Sequence, residues 1–279
     1  MAHPRRAARL RGLSIGSGVA SAAPTASIDA RIPISACIIT HDEEDRLGDC
    51  LDALAWCDEI LVVDSHSEDG TRELAAARGA RVVERDWPGH VAQKEFAIRE
   101  ARHDWVLCVD ADEVVSPELC DAISAERATG FTGAAGFEVS RVSRYLGRWI
   151  RHGTWYPDWK LRLFDRRRGS WGGRNPHDHV SVDGSVRRLA GELRHDPYRS
   201  FEDHLRTIDS YTTIMAEEMR SEGRRARFVD VITRPAARFF VFYVVRRGFL
   251  DGWRGLLLAY LAAHYVRLKY AKLWVATRT

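Results

Sequence analysis

The sequence predicts an α/β protein with a mostly parallel central sheet flanked by helices, followed by a C-terminal helical extension. Two observations carry this. Between Ile32 and Asp110, short apolar runs alternate with segments of helical periodicity, the rhythm of parallel strands joined by helical crossovers. Beyond Arg224 the pattern changes to arginines interleaved with aromatic and leucine-rich runs.

The elements follow in order. Ile32–Thr40 reads as a first strand, and the polar turn His41-Asp-Glu-Glu44 leads into a helix over Asp45–Leu54, where Leu47, Cys50, Leu51 and Leu54 recur at helical spacing. Glu59–Asp64 is a second strand. It runs into Ser65-His-Ser-Glu-Asp-Gly-Thr71, whose Ser, Asp and Gly supply turn and cap chemistry for a helix over Arg72–Arg78. A third strand is expected at Ala80–Glu84, a helix at His90–Arg102 and a fourth strand at Trp105–Val109. In such a sheet the ligand site lies at the carboxyl ends of the strands, where Thr40, Asp64 and Asp110 fall.

The fourth strand ends in Asp110-Ala-Asp112-Glu113. A buried strand does not carry acids into its core, so these acids are placed where it emerges. Residues i and i+2 of an extended segment point the same way, and Asp110 and Asp112 can therefore offer oxygens to one hard cation such as Mg2+ or Mn2+. Asp-X-Asp also occurs in solvated and helix-capping loops, so the spacing alone leaves both readings standing.

Four segments in order, Ile38-Ile-Thr-His-Asp-Glu-Glu44, Val62-Val-Asp-Ser-His-Ser-Glu-Asp-Gly-Thr71, Gln93-Lys-Glu-Phe-Ala97 and Asp110-Ala-Asp-Glu113, resemble those of family 2 glycosyltransferases. Gly153-Thr-Trp-Tyr-Pro-Asp158, Arg162-Leu-Phe164, His177-Asp178 and Gly248-Phe-Leu-Asp-Gly252 make the chain most similar to the subgroup that adds sugars to lipopolysaccharide core, over about residues 32 to 275. The resemblance implies the nucleotide-diphospho-sugar transferase (GT-A) fold and an inverting enzyme using a divalent metal and an activated sugar, with a UDP-hexose expected. It implies that Thr40, Asp42 and Glu44 line the nucleotide pocket, that Asp64 faces the base and that Lys94 approaches the donor. By the same resemblance Asp110 lies near the ribose or the metal, and Asp112 binds the metal. His41 and Glu95 stand where the family often has Asn.

The chemistry explains the residue types. The departing nucleotide diphosphate develops negative charge that an acid-held metal can neutralise, and a base on the opposite side must take the acceptor hydroxyl's proton. Asp178, in Arg174-Asn-Pro-His-Asp-His-Val180, is the first candidate because the family places a short His-acid element there, and Asp158 is the second. His177 is assigned to the metal or the leaving diphosphate. His179 and His195 read as hydrogen-bonded structural residues, because their spacing matches no zinc motif and no Cys accompanies them. Trp149, Trp155, Trp159 and Trp171, with Tyr145 and Tyr156, fit either an acceptor cleft, where aromatic faces cover sugar rings, or the core.

At 279 residues and 45% hydrophobic, the chain can bury one large core. The expected divisions are a disordered extension over 1–31, or else a mis-assigned start, a catalytic domain over 32–223 and a basic amphipathic helical extension over 224–279. The first thirty residues lack the continuous apolar stretch of a secretory signal. Five cysteines, an odd number without a Cys-X-X-Cys pair, suggest reduced cytosolic thiols.

Neither C-terminal apolar run reaches the roughly 20 residues of a membrane span. The mixture of cations and apolar residues suits a helix lying in an anionic membrane interface, on the cytoplasmic side, or a helical pair packed on the core with solvated arginines. A net charge of +3 without a binding motif argues against nucleic acid. A nucleotidyltransferase would need a Gly-rich turn after the first strand, which is acidic here. The expected function is hexose transfer from a nucleotide sugar to a saccharide or lipid-linked glycan; the alternative is a non-catalytic carbohydrate- or lipid-binding scaffold.

Overall fold

A computed structural model describes residues 31–174 and 177–278; the extension expected over 1–31 lies outside them except for Arg31. Four strands, β1 (Ile34–Thr40), β2 (Glu59–Asp64), β3 (Arg81–Glu84) and β4 (Trp105–Asp110), pair in parallel in the order β3-β2-β1-β4. Their crossovers are α1 (Glu44–Asp52), α2 (Thr71–Ala77) and α3 (His90–Glu100). These are the elements expected from the alternation, with ends moved by one or two residues. Leu47, Cys50 and Leu51 form the buried face of α1, as their spacing requires.

The sheet continues beyond β4 in mixed order. β5 (Glu113–Val115) is followed by α4 (Pro117–Ala128), then β6 (Gly136–Tyr145), β7 (Arg148–Trp149), β8 (Asp158–Asp165), a β9–β10 hairpin (Gly169–Arg174, His177–Val182) and β11 (Val186–His195). β8 pairs antiparallel with both β4 and β6, β11 runs parallel to β6, and β5 closes the far edge antiparallel to β11. One apolar cluster fills the face under α1 and α4, including Leu47, Leu107, Leu119 and Phe137. A second, with Val63, Ile98, Val106 and Phe164, lies under α3. All five cysteines are free thiols.

After β11 the chain becomes helical: α5 (Phe201–Ser221), α6 (Phe228–Phe240), a π-helical turn (Val241–Val245), a 3₁₀ turn (Gly248–Asp251) and α7 (Gly252–Ala276). Ser200 caps α5 by accepting a hydrogen bond from the Asp203 amide at 3.0 Å. Among the described residues no helix is long and apolar enough to cross a membrane.

The bend between α6 and α7 is set by close approach. A Cβ on Gly255 would fall 1.8 Å from the Gly248 carbonyl oxygen, so only glycine lets the start of α7 lie against the preceding turn. The fully buried Phe242 wedges against Gly153, whose φ of +76° and lack of a side chain leave room for the ring. Asp251, also buried, accepts hydrogen bonds from the His152 amide at 2.9 Å and from His152 Nδ1 at 3.1 Å. The Gly248-to-Gly252 motif thus ties the helical layer to the loop after β7, nearly a hundred residues earlier.

Under this layer His204 is buried, with Nδ1 3.0 Å from the Tyr145 hydroxyl and its ring stacked on Tyr198 at 4.1 Å between centroids. Burial pushes its pKa down to about 4. Its folded pKa is below the unfolded value of about 6.5, so its contribution to stability is complete above about pH 6.5 and is lost as pH falls toward 4, on the order of 3 kcal/mol in all. Denaturant unfolding at pH 7 and pH 4.5 should show the wild type losing more stability on acidification than His204→Gln; equal losses would remove this role.

Candidate active site

At the carboxyl ends of the parallel strands a cleft opens as two chambers of about 660 and 380 Å³, which share walls of Lys94, Asp110, Asp112, Asp178, His195 and Tyr211. The chain turns back at this point in the sheet, since β1 to β3 build outward in one direction and β4 returns on the other side of β1, the crevice where such sheets bind ligands. Asp110 and Asp112 line the same space, although Ala111 and Asp112 form a turn between β4 and β5 and not the extended segment expected from the sequence.

A line of alternating charge runs through the larger chamber. Lys94 Nζ, on α3, stands 2.9 Å from both Asp110 and Asp178. Arg162 Nη2, on β8, stands 2.8 Å from Asp110 and 2.7 Å from Glu113. Arg141, on β6, continues it with contacts of 3.1 Å to Glu113 and 2.8 Å to Asp158, and Lys160 reaches Asp158 at 3.2 Å. Trp171 covers this line from β9, with the Lys94 ammonium 4.7 Å from its ring centre. Burial by itself would raise the Asp110 carboxyl, but the Lys94 and Arg162 charges beside it hold it well below the usual range. Burial would lower Lys94, and Asp110 beside it leaves it raised instead.

The two acids at the end of β4 therefore differ. Asp110 has Lys94 on one oxygen and Arg162 on the other, so its charge is already compensated and the role of direct metal ligand suits it poorly. Asp112 is held less closely: Arg46 Nη1 is 3.7 Å from Oδ2, and His195 Nε2 is 3.4 Å from the same atom. His195 closes β11, and its Nδ1 lies 3.0 Å from the Ser143 hydroxyl. The Ser143 hydroxyl can donate to Nδ1 or accept from it; in the second case Nε2 would be free to ligate a cation shared with Asp112.

The remaining expected residues are distributed as follows. Thr40 lines the smaller chamber and donates to Asp64 at 2.9 Å. Asp64 itself is fully buried beneath the cleft, where it accepts from Thr40 and from the Ser67 amide. Asp42 and Glu44 accept from the amides of Glu68 at 2.8 Å and Gly70 at 3.0 Å, joining the loop after β1 to the loop after β2. Asp42 has a left-handed φ of 54°, which turns the chain so that His41 and Glu43, rather than Asp42 and Glu44, line the chamber. Asp178 lines both chambers, whereas Asp158 pairs with Arg141 and Lys160 outside the set of lining residues. The side chain of His177 lies outside the described residues, among which no cluster of three metal-ligating side chains occurs.

Sequence reasoning missed His195, Arg141, Arg162, Tyr198 and Tyr211 as cleft residues. Only Arg162 carried a signal, in the Arg162-Leu-Phe164 segment. Of the four tryptophans between 149 and 171, Trp159 and Trp171 line the larger chamber, and Trp155 lines a third cavity under the helical layer.

A family model described as Glycosyl transferase family 2 matches residues 35–190, more than half of the chain. The chain belongs to glycosyltransferase family 2. It is similar to the lipopolysaccharide core biosynthesis glycosyltransferase LpsC of Rhizobium meliloti, 28% identical over 251 residues that cover 88% of this chain and 93% of that one. An uncharacterized glycosyltransferase, RT0209 of Rickettsia typhi, is 30% identical and aligns over 86% of each chain. A solved structure of glucosyl-3-phosphoglycerate synthase from Mycobacterium tuberculosis, in complex with Mn2+, UDP and phosphoglyceric acid, aligns over 43% of this chain and 45% of that one at 25% identity, with a TM-score of 0.35. This glycosyltransferase has the GT-A fold expected from the resemblance, and as a member of its family it transfers a sugar from a nucleotide-sugar donor.

Arg162 is the joint of the charged line. Replacing it with Met would leave Glu113, which is fully buried, and Asp110 short of a partner, at a cost of about 3–5 kcal/mol. Chemical denaturation should place Arg162→Met that far below the wild type and Lys160→Met within about 1 kcal/mol of it.

Proposed function

We propose that this glycosyltransferase is an inverting hexosyltransferase of cell-envelope glycan synthesis, with Asp112 and His195 as its metal-binding pair and Asp178 as its base. The observation that carries the reading is the Asp112–His195 pair, 3.4 Å apart at the carboxyl ends of the strands and open to both chambers. A carboxylate and an imidazole suit Mg2+ or Mn2+ when a diphosphate supplies the other oxygens, so the residues present fit such an ion. When bound, the ion would supply positive charge for the departing diphosphate.

The protein's own residues account for the rest of the reaction. The smaller chamber, with Thr40, His41 and Glu43, takes the nucleotide, and the larger one takes the sugar and the acceptor end. The acceptor oxygen attacks the anomeric carbon as the bond from that carbon to the diphosphate oxygen breaks, inverting the configuration. Asp178 receives the hydroxyl proton. Lys94, 2.9 Å from Asp178, orients that carboxylate and adds positive charge beside the site.

Calorimetric titration with UDP, UDP-glucose and other nucleotide diphosphates, with and without Mn2+, tests the donor side. One nucleotide should bind with metal dependence in the wild type, and Asp112→Ala should lose that dependence while staying folded. Metal-independent binding of equal strength in both would remove the Asp112 assignment. Asp178→Asn should lower kcat about 10²-fold or more with donor affinity nearly kept; a large loss of donor binding would move Asp178 out of the base role.

The C-terminal helices also support attachment to the inner face of the cytoplasmic membrane. Phe240, Val245, Phe249, Leu250 and Trp253 are each about half exposed on one bend, beside the exposed Arg246 and Arg247. Apolar side chains rimmed by cations match the boundary between anionic head groups and acyl chains. Truncation of the extension would uncover Tyr145, Ile150 and Ile208, which are buried against it, so point changes are the sounder test. The wild type should sediment with phosphatidylglycerol-rich vesicles, and Phe249→Ser with Trp253→Ser should stay in the supernatant with an unchanged circular dichroism spectrum. A wild type that ignores such vesicles would overturn attachment.

A further inference from the structure

The third cavity, of about 430 Å³, lies between α5, α6, α7 and the loop carrying Trp155. Tyr198, Thr207 and Tyr211 line both it and the larger chamber, and Tyr211 borders all three spaces. It is therefore the continuation of the cleft on the side away from the nucleotide pocket. Its walls are aromatic: Trp155 and Tyr198 stand 6.2 Å apart between ring centres, beside the stacked Tyr198–His204 pair.

Two cations enter this aromatic space, Arg238 from α6 and Lys269 from α7. Arg238 donates to the Thr154 hydroxyl at 3.1 Å, and Lys269 lies 5.8 Å from the Tyr265 ring centre and 5.4 Å from that of Tyr270. No carboxylate among the described residues forms an ion pair with either. The contrast with the catalytic line is direct, because Lys94, Arg141 and Arg162 each have two acidic partners. Burial lowers both Arg238 and Lys269, and the charged neighbours acting on Lys269, namely Arg224, Arg238 and Arg234, share its sign. Lys269 is half-buried and Arg238 is exposed at the rim, so two like charges without a carboxylate partner meet at this opening, where an anion would join them favourably.

We infer that this cavity is an acceptor subsite for a negatively charged sugar, its phosphate or carboxylate held between Arg238 and Lys269 and its ring laid on Trp155 and Tyr198. From there an acceptor chain passes Tyr211 to reach Asp178 in the larger chamber. The inference rests on the transferase reading and narrows it: the acceptor is an anionic glycan, not a neutral one. Guanidinium and ammonium groups bind phosphate and carboxylate alike, so the two sources are separated by experiment.

The test is calorimetric titration of the full chain, with UDP and Mn2+ saturating the donor site, using glucose 6-phosphate, glucuronate and methyl glucoside as probes. At least one anionic sugar should bind about tenfold or more tightly than methyl glucoside, and whichever does so identifies phosphate or carboxylate as the group recognised. Arg238→Gln and Lys269→Gln should each bring the preference close to unity with UDP binding unchanged, while Lys269→Arg keeps it. Equal affinities for charged and neutral sugars, no binding of any probe, or a preference that survives the double Gln variant would overturn the subsite. Failure of UDP to bind the wild type would instead overturn the transferase reading.

Discussion

Arg162 holds the active site together. Buried on β8, it joins Asp110 at the end of β4 to Glu113 at the start of β5, and through Glu113 reaches Arg141 on β6. Lys94 extends the same line to α3 and, through Asp178, to β10. Charges this far from water are tolerated because each sign is flanked by the other; the removal of one member leaves its neighbours uncompensated. The line therefore fixes where five strands and a helix meet, and with them the walls of the cleft.

This constraint also divides the labour of the paired acids. Asp110 is bound into the line on both oxygens, whereas Asp112, two residues later, lies beyond it beside His195. The turn between β4 and β5 brings both side chains to one space, and their neighbours decide what each can do there. The turn of charged and polar residues between β1 and α1 works similarly: the left-handed Asp42 sends its own carboxylate to the Glu68 amide and presents His41 and Glu43 to the chamber.

The helical layer makes the cleft longer than the α/β core alone could. Asp251 anchors it to the loop after β7, Gly255 and Gly153 allow the close approaches it needs, and α5 brings Tyr211 to the junction of the three spaces. The two ends of the cleft differ in electrostatics. Cations are matched by carboxylates in the larger chamber, whereas Arg238 and Lys269 under the helical layer lack such partners among the described residues.

The sequence by itself determined the parallel half of the sheet, its crossover helices and the position of the acids at its carboxyl edge. Those features are local: hydrophobic periodicity and turn chemistry depend on residues a few positions apart. The mixed half, β5 to β11, was not legible, because its strands find partners across separations that no local pattern encodes. Nor was His195 distinguishable from a structural histidine, since it meets Asp112 only when β11 pairs with β5 and β6. Arg162 and Arg141 look like ordinary strand arginines until burial places them between acids, and no local pattern shows that Arg238 and Lys269 border one cavity with Trp155. Only the tertiary structure decided these roles, because ion pairing, desolvation and shared cavity walls are relations between residues distant in the chain.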